Sequence, residues 1–375
     1  MMFGDSAQTP QAMIDAAPGL LTIDFTAIAA NYRLLCARAG TARVAGVVKA
    51  DAYGLGALRV VPALHGAGCR DFFVAQLSEA LALRPVLPDD SRLYVLNGLQ
   101  PGAEAICADA GFVPALNSLE QVDNWSRLAR TRAVTLPALL QFDTGMSRLG
   151  LPPEDAATLA GARERLAGIE VLYVMSHLAS ADDPASAQNT AQLAAMRRVA
   201  DAFPGARLSF ANSGGLFLGA DYHGALVRPG IALYGGAPNS ARPNPMAPVV
   251  GLEVRVIQTR TVPAGTRVGY SGTHVTTAER RLATLAAGYA DGLPRTLSDR
   301  GAAYVGATRL PILGRVSMDS FTVDITSLPP DTLRLGSLVE IIGPHQTLDA
   351  LALDAGTISY EILTGLGTRF HRLAR

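Results

Sequence analysis

Lys49 is the residue of this sequence with the clearest capacity for covalent chemistry. It ends an apolar run over residues 44–48, and a turn of small residues punctuated by Gly54 and Gly56 follows it. This pattern predicts a strand that delivers an amine to the mouth of a parallel barrel. A desolvated lysine can lose its proton and form a Schiff base with an aldehyde. The side chain of a lone lysine at a strand end more often extends into solvent. Other residues of the chain are therefore needed to distinguish a reactive lysine from an ordinary one.

Polar, basic and small residues also follow later apolar runs. They are Arg148 in the segment Asp143-Thr144-Gly145-Met146-Ser147-Arg148, His177 after Ser176, Asn212 and Ser213 before Gly214-Gly215, and Arg228 before Pro229, Gly230 and Ile231. The carboxyl ends of barrel strands meet at one rim, so we expect these groups to converge there. The two small-residue loops could present backbone N–H groups to a phosphate. Taken singly, His177 could be a core histidine, each arginine could form an ion pair, and the loop before Gly214-Gly215 could be a tight turn. Their joint occurrence at successive strand ends predicts a functional site.

Eight apolar runs alternate with segments of helical spacing over the first two-thirds of the chain. The runs cover residues 44–48, 72–74, 93–96, 113–115, 138–142, 171–175, 208–211 and 225–227. Helices are predicted over residues 119–128, capped by Asn117-Ser118, and over residues 193–203. Eight strand–helix units favour a closed TIM-type (β/α)₈ barrel over an open sheet.

The pattern changes near Met246, where short strands rich in Val and Thr alternate with Pro and Gly turns. We therefore expect an α/β barrel over residues 20–240 and a mostly β domain over residues 246–375. Residues 235–248 are rich in Gly, Pro, Asn and Ser, as is typical of a linker. The strand predicted over residues 17–24 has no barrel helix before it and could pair with the β domain.

Composition excludes several classes of function. Lysine plus arginine equals aspartate plus glutamate, at 32 each, which gives no indication of a nucleic-acid or acidic-membrane partner. The three cysteines lie far apart without metal-ligand spacing, so neither a metal site nor a disulfide framework is predicted. Residues 1–17 lack the basic start of a secretory signal, and no apolar stretch is long enough to span a membrane. A cytoplasmic protein is the resulting expectation.

Several strings occur in an order that is specific to one family. They are residues 49–56, 143–150, 212–214 and 228–235, Gly269-Tyr270, Gly288-Tyr289-Ala290-Asp291-Gly292, Arg315-Val316-Ser317-Met318-Asp319 and Ser359-Tyr360-Glu361. Together they resemble alanine racemase, a fold-type III family that depends on pyridoxal 5'-phosphate. The resemblance extends from about Leu20 to Arg375. It implies interconversion of L-alanine and D-alanine, which supplies D-alanine for peptidoglycan.

The resemblance implies a two-base mechanism. Lys49 would hold the cofactor as a Schiff base and act as one base, and Tyr270 would be the base on the opposite face. His177 would support the phenol, whose ordinary pKa near 10 makes it a poor base. Arg228, behind the histidine, would also donate to the pyridine nitrogen. In this family Tyr270 comes from the partner subunit, so a head-to-tail homodimer with two shared sites is expected.

The remaining roles follow from the same resemblance. The cofactor would also contact Asn212, and its phosphate would be bound by Tyr53, Ser213, Tyr360 and the backbone of Gly230 and Ile231. Arg148 would contact the substrate carboxylate or the phenolic oxygen of the cofactor, and the backbone of Met318 would bind the carboxylate from the partner chain. Tyr289 and Arg295 resemble residues that line the access corridor, and Asp319 resembles a corridor or orienting residue.

One position departs from the family pattern. Many members carry a carbamylated lysine two residues before the Asp-Thr-Gly string, which orients the arginine, whereas this chain has Gln141 there. Glutamine cannot form a carbamate. A bound chloride near Arg148 and Gln141, or the glutamine carbonyl itself, could replace the missing partner.

Three alternative functions are compatible with a barrel that binds pyridoxal phosphate. A broad-specificity racemase would accept larger amino acids. A barrel-type decarboxylase is disfavoured by Arg228 at the ring nitrogen and by Tyr270 without a decarboxylase-like cysteine motif. A non-catalytic cofactor carrier would be a shorter single barrel.

Overall fold

The computed structural model describes residues 10–240 and 243–375 and forms two compact units. One unit comprises Thr26–Ala247, and the other joins the described residues up to Phe25 with Pro248–Arg375. Two elements precede the first unit along the chain, α1 (Pro10–Ala16) and β1 (Gly19–Ile23). The sequence reasoning did not predict α1.

The first unit is a parallel β/α barrel. Its strands are β2 (Arg43–Val44), β3 (Gly46–Val47), β4 (Asp71–Val74), β5 (Arg92–Val95), β6 (Val113–Leu116), β7 (Leu136–Gln141), β8 (Ile169–Met175), β9 (Leu208–Ser209) and β10 (Leu226–Val227). Its helices are α2 (Phe25–Ala39), α3 (Lys49–Gly54), α4 (Ala57–Gly66), α5 (Leu77–Leu83), α6 (Glu104–Asp109), α7 (Leu119–Arg132), α8 (Pro153–Gly161) and α9 (Ala187–Ala202). Strands β3, β4, β6 and β10 are buried from end to end, as expected of strands covered by helices.

Backbone hydrogen bonds close the barrel. Strands β3 to β9 form one seven-stranded parallel sheet in sequence order. Strand β10 is joined to β9 by the hydrogen bond from Ala225 N to Leu208 O, 2.7 Å long, and pairs in parallel with β2. Because β2 leads directly into β3, eight strand positions complete the ring, and the predicted fold class is confirmed.

The second unit is built on an eight-stranded sheet. Its strands are β11 (Val250–Val262), β12 (Arg267–Val268), β13 (His274–Val275), β14 (Arg280–Leu285), β15 (Ala302–Val305), β16 (Thr308–Leu313), β17 (Phe321–Asp324), β18 (Leu338–Ile342) and β19 (His371–Ala374), with helices α10 (Leu348–Ala355) and α11 (Ser359–Gly365). The order is β14-β17-β16-β15-β18-β11-β1-β19, and β12 pairs separately with β13. Strand β1 is antiparallel to β11 and parallel to β19. Sequence reasoning missed both helices, because they span only eight and seven residues, too few for helical periodicity to stand out.

Two predictions fall partly on undescribed residues. The absence of a secretory signal was predicted for residues 1–17, of which 1–9 lie outside the described part of the chain. The linker predicted over residues 235–248 likewise includes 241 and 242. Within the described residues, every helix is too short or too polar to cross a membrane.

Candidate active site

Lys49 begins a helical turn of unusual handedness. Ala50, Asp51, Ala52 and Tyr53 all have φ between 51° and 58°, so α3 is left-handed over these four residues. For residues with a Cβ this conformation costs about 1–2 kcal/mol each. The turn is held by Glu79, whose carboxylate accepts a hydrogen bond from Ala50 N at 2.5 Å. The other Glu79 oxygen accepts from the backbone at the start of α5, so this helix anchors the turn.

The Lys49 amine lies in a partly buried, positively charged environment. Burial lowers its pKa, and the charges of Arg148 and then Arg228 lower it further, against the opposing effect of Glu79. A lowered pKa increases the share of neutral amine at physiological pH. Lys49 is therefore suited to nucleophilic attack on an aldehyde.

Arg228 is almost completely buried at the end of β10, with 3% of its surface exposed. Its guanidinium donates to Ser209 Oγ at 2.5 Å and to Ser176 O at 2.6 Å, and its Nη2 lies 3.5 Å from His177 Nδ1. Burial lowers the pKa of Arg228 to about 10, which leaves it charged at neutral pH. These contacts fix the orientation of the guanidinium in the barrel.

His177 follows β8 and faces the same group of cations. Burial lowers its pKa to about 3, and the charges of Arg228, Arg148 and Lys49 act in the same direction. The imidazole is consequently neutral at physiological pH. Gln192 of α9 donates to His177 O at 2.9 Å and to Thr144 Oγ1 at 3.3 Å, and so connects the loops after β8 and β7.

The loop after β7 is organised by its own aspartate. Asp143 Oδ1 accepts hydrogen bonds from the backbone N–H groups of Gly145 and Met146 at 2.8 and 2.9 Å. Burial acts to raise the pKa of Asp143, but the backbone donors outweigh it and lower the pKa. Arg148, at the end of this loop, is exposed, whereas Gln141 at the end of β7 is buried.

A cradle of small residues lies beside the left-handed turn. Ser213 Oγ accepts from Gly230 N at 2.9 Å, and Asn212 secures the preceding loop by donating to Leu178 O at 3.1 Å. A Cβ on Gly230 would collide with the hydroxyl of Tyr53, so the backbone there needs glycine. Ile231 is buried and starts the 3₁₀ turn Ile231–Tyr234.

The other predicted residues belong to the second unit, and several are exposed. Tyr270 is 71% exposed, Met318 52%, Tyr289 45% and Tyr360 41%. Arg295 begins a 3₁₀ turn, and Asp319 forms an ion pair with Arg369.

Several contacts at the rim were not predicted. Glu79, Ser176, Ser209 and Gln192 hold the predicted residues from neighbouring helices, strands and loops. Only Glu79 carried a signal, since it lies three residues after Gln76 in a capping-box pattern. The predicted residues of the first unit, Lys49, Arg148, His177 and Arg228, are brought within electrostatic range of one another.

At the level of class, the fold and this rim define a (β/α)₈-barrel enzyme with an additional β domain. Two family models match, the alanine racemase N-terminal domain over residues 23–238 and the alanine racemase C-terminal domain over residues 249–374. The chain therefore belongs to the alanine racemase family. The predictions of the family and of a racemase enzyme are confirmed.

Individual relatives agree with the family models. A protein of Rhizobium johnstonii named "Alanine racemase, catabolic" is 62% identical over 96% of this chain and 95% of its own length. A protein of Agrobacterium fabrum with the same name is 59% identical over 96% and 93%. The alanine racemase of Bartonella henselae, solved with covalently bound pyridoxal phosphate, is 45% identical, with a TM-score of 0.92 over 96% of this chain and all of that one.

Proposed function

We propose that this chain racemises alanine with pyridoxal 5'-phosphate held at the barrel rim and with Lys49 and Tyr270 as the two bases. The observation that carries the proposal is the grouping of a lysine of lowered pKa, a neutral histidine and a buried arginine at one rim. Such a concentration of perturbed groups is typical of an active site.

The residues of the first unit fit the cofactor chemically. Lys49 would bind it covalently through its neutral amine, and the Bartonella relative carries the same cofactor covalently bound. Tyr53, Ser213 and the N–H groups of Gly230 and Ile231 would hold its phosphate, and Asn212 would secure the adjoining loop. The missing Cβ at Gly230 supports this assignment, because it permits close approach of the backbone. When bound, pyridoxal phosphate withdraws electrons from the α-carbon of an amino acid and makes its α-hydrogen labile.

Arg228 would determine the outcome of proton removal. Its guanidinium stays charged and is fixed by Ser209 and Ser176, so it can only donate a hydrogen bond. Directed at the pyridine nitrogen, it would leave that nitrogen unprotonated. A weaker electron sink favours rapid return of the proton over decarboxylation or transamination.

Racemisation needs one base on each face of the α-carbon. We assign the α-proton of D-alanine to Lys49 Nζ and that of L-alanine to Tyr270 Oη. His177 would assist the phenol: its Nδ1 faces Arg228, so the proton of the neutral ring lies on Nε2, which can donate to Tyr270 Oη.

The substrate carboxylate would be bound by Arg148 and by the backbone N–H of Met318, and Tyr289 and Arg295 would narrow the access corridor. We propose that a chloride beside Gln141 supplies the negative partner of Arg148. Anomalous X-ray scattering would show a chloride there, and a peak that fits only water would refute this assignment.

The exposed residues of the second unit support a head-to-tail homodimer. Tyr270, Tyr289 and Met318 expose between 45% and 71% of their surface. Tyrosine and methionine are enriched at protein–protein interfaces relative to the rest of the surface. In such a dimer Tyr270, Met318 and Asp319 of each subunit would serve the site of the other.

The deciding experiment is chiral chromatography of L-alanine incubated with the purified protein and pyridoxal phosphate, with L-serine, L-lysine and L-arginine in parallel. Equal amounts of the two alanine enantiomers, with little conversion of the others, would establish alanine as the substrate. Conversion of the longer side chains would establish a broad-specificity racemase. Release of carbon dioxide without a D product would refute racemisation.

We further propose that the reaction takes place in the cytoplasm and supplies D-alanine for peptidoglycan. The buried free thiols of Cys69 and Cys107 are compatible with a reducing compartment. The word "catabolic" in the names of two relatives favours a second role, the use of alanine as a nutrient. Deletion of the gene separates the roles: a requirement for D-alanine indicates biosynthesis, and loss of growth on alanine alone indicates catabolism.

A further inference from the structure

Arg369 binds two carboxylates of the second unit at once. Its Nε and Nη2 donate to the two oxygens of Asp291 at 2.5 and 2.6 Å, and its Nη1 donates to Asp319 Oδ1 at 2.6 Å. Asp291 is 1% exposed and needs such a partner, because a buried charge is costly when unpaired. Asp319 is 64% exposed, and an exposed ion pair adds little stability. The second contact therefore calls for an explanation other than stability.

The two carboxylates belong to segments that run against each other, residues 288–292 and the 314–319 loop. Tyr289 N donates to Ser317 O at 3.1 Å, and Ala290 N donates to Met318 O at 3.0 Å. A Cβ on Gly288 would meet the carbonyl oxygens of Ser317 and Met318, so the two backbones are in direct contact. Arg369 thus ties together the segments that carry Tyr289 and Met318.

The 314–319 loop also contacts the turn that carries Tyr270. Arg315 Nη1 donates to Ser271 Oγ at 2.9 Å. A Cβ on Gly269 would lie 2.9 Å from Arg315 N, and Gly269 has φ 73°, which favours glycine. A displacement of the loop would therefore be transmitted to the backbone of Tyr270.

We propose that Arg369 is a positioning residue for racemisation: from its anchor on Asp291 it holds Asp319 and so fixes Met318 and Tyr270. The inference rests on the proposed function, in which Met318 binds the carboxylate and Tyr270 moves the α-proton of L-alanine. Arginine suits this task because its planar fork can grip Asp291 with two donors and still reach Asp319. A lysine ammonium cannot do both in the same geometry.

The test compares Arg369→Ala, Arg369→Lys and Asp319→Asn with the wild-type holoenzyme. The matched control is Arg280→Ala, which removes another arginine–aspartate pair of the same unit, Arg280 with Asp324 at 3.5 Å. Cofactor absorbance, Tm, kcat and KM are measured for each protein. Exchange of the α-hydrogen for deuterium is followed by NMR, separately for L-alanine and D-alanine.

We expect Arg369→Ala to retain its cofactor and to raise the KM for both enantiomers about tenfold. Exchange from L-alanine should slow more than exchange from D-alanine, because only the former uses Tyr270. Asp319→Asn should show the same pattern more weakly, and Arg369→Lys should not restore it. Arg280→Ala should leave KM and the exchange ratio unchanged.

A lower Tm for Arg369→Ala with unchanged KM and exchange ratio would overturn the proposal and make the residue purely structural. So would a loss of activity in proportion to lost cofactor. Failure of the proposed function would be seen separately, because the wild-type protein would then neither racemise alanine nor exchange its α-hydrogen.

Discussion

His177 shares the barrel rim with three basic side chains, and this environment determines its protonation. A neutral histidine can donate a hydrogen bond to a phenol without adding another positive charge to the rim. The same environment keeps the Lys49 amine reactive. Chemistry at the residue scale therefore depends first on burial, which disfavours the charged forms of His177 and Lys49, and then on the charges of their basic neighbours.

Replacing His177 by Asn should change how stability depends on pH. The pKa of His177 falls from an ordinary 6.5 to about 3 on folding, so the unfolded chain binds one more proton between these values. The contribution of His177 to the free energy of unfolding is complete above pH 6.5. It is lost as the pH falls toward 3, by roughly 1 kcal/mol per pH unit. Denaturant unfolding from pH 7 to pH 4.5 should show a shallower decline for His177→Asn. Parallel curves for the two proteins would show that His177 is not neutral in the native state.

Tyr270→Phe should separate cofactor binding from proton transfer. The variant should retain its cofactor absorbance and lose racemisation by about 100-fold or more, equally in both directions because the equilibrium constant is one. Exchange of the α-hydrogen of D-alanine should persist through Lys49, whereas exchange from L-alanine should stop. Loss of both exchanges together with the cofactor would instead identify Tyr270 as structural.

The conformation of the left-handed turn after Lys49 is stabilised by a residue from a different element of the fold. Local preference opposes four such residues in a row, and Glu79 of α5 supplies the hydrogen bond that holds Ala50. Tyr53 is carried by this turn to Gly230, where only glycine fits. The order of the rim is therefore produced by contacts between loops more than by any single strand.

Gly230→Ala should test this close approach. The added Cβ would meet the Tyr53 hydroxyl and push the loop from the proposed phosphate site. We expect cofactor affinity to fall at least about tenfold, measured by equilibrium titration with pyridoxal phosphate. Gly161→Ala is the control, because its Cβ would meet no atom within 4 Å. Unchanged affinity in Gly230→Ala would remove Gly230 from the cofactor site.

Hydrophobic periodicity predicted the strands and helices whose formation follows from local residue preferences. It did not predict the left-handed turn after Lys49 or the contacts that hold this turn. The helix predicted over residues 119–128 is found as α7, with Ser118 Oγ accepting from Gln121 N, because capping is local. The left-handed residues after Lys49 and the pairing of Arg369 with Asp291 depend on segments distant in sequence. A single sequence does not show which distant segments come into contact, so the family strings identified Asp319 but not its partner, and the capping pattern at Glu79 gave no indication of its contact with Ala50.

At the scale of the whole molecule, we propose that activity depends on two chains. The proposed bases lie in different units, Lys49 in the barrel and Tyr270 in the β unit. A head-to-tail dimer would contribute one base from each subunit to every site.

Mixing two inactive variants should restore activity. If sites are shared, a Lys49→Ala subunit paired with a Tyr270→Phe subunit contains one intact site and one doubly defective site. After dissociation and random reassociation, about a quarter of wild-type activity is expected, since half the dimers are mixed and half their sites are intact. The assay is racemisation of L-alanine, with each variant alone as the control. No recovery despite mixed dimers would place both bases in one subunit.

The position of β1 affects how the protein is made. This strand is synthesised before the barrel, yet its neighbours in the sheet are β11 and β19, which both follow the barrel along the chain. The barrel can form while translation continues, but the sheet gains β19 only after the barrel and all the other strands of its own unit have been synthesised. A nascent or truncated chain that lacks β19 should therefore have an unfinished β unit, with one edge of β1 unpaired although β1 was made early.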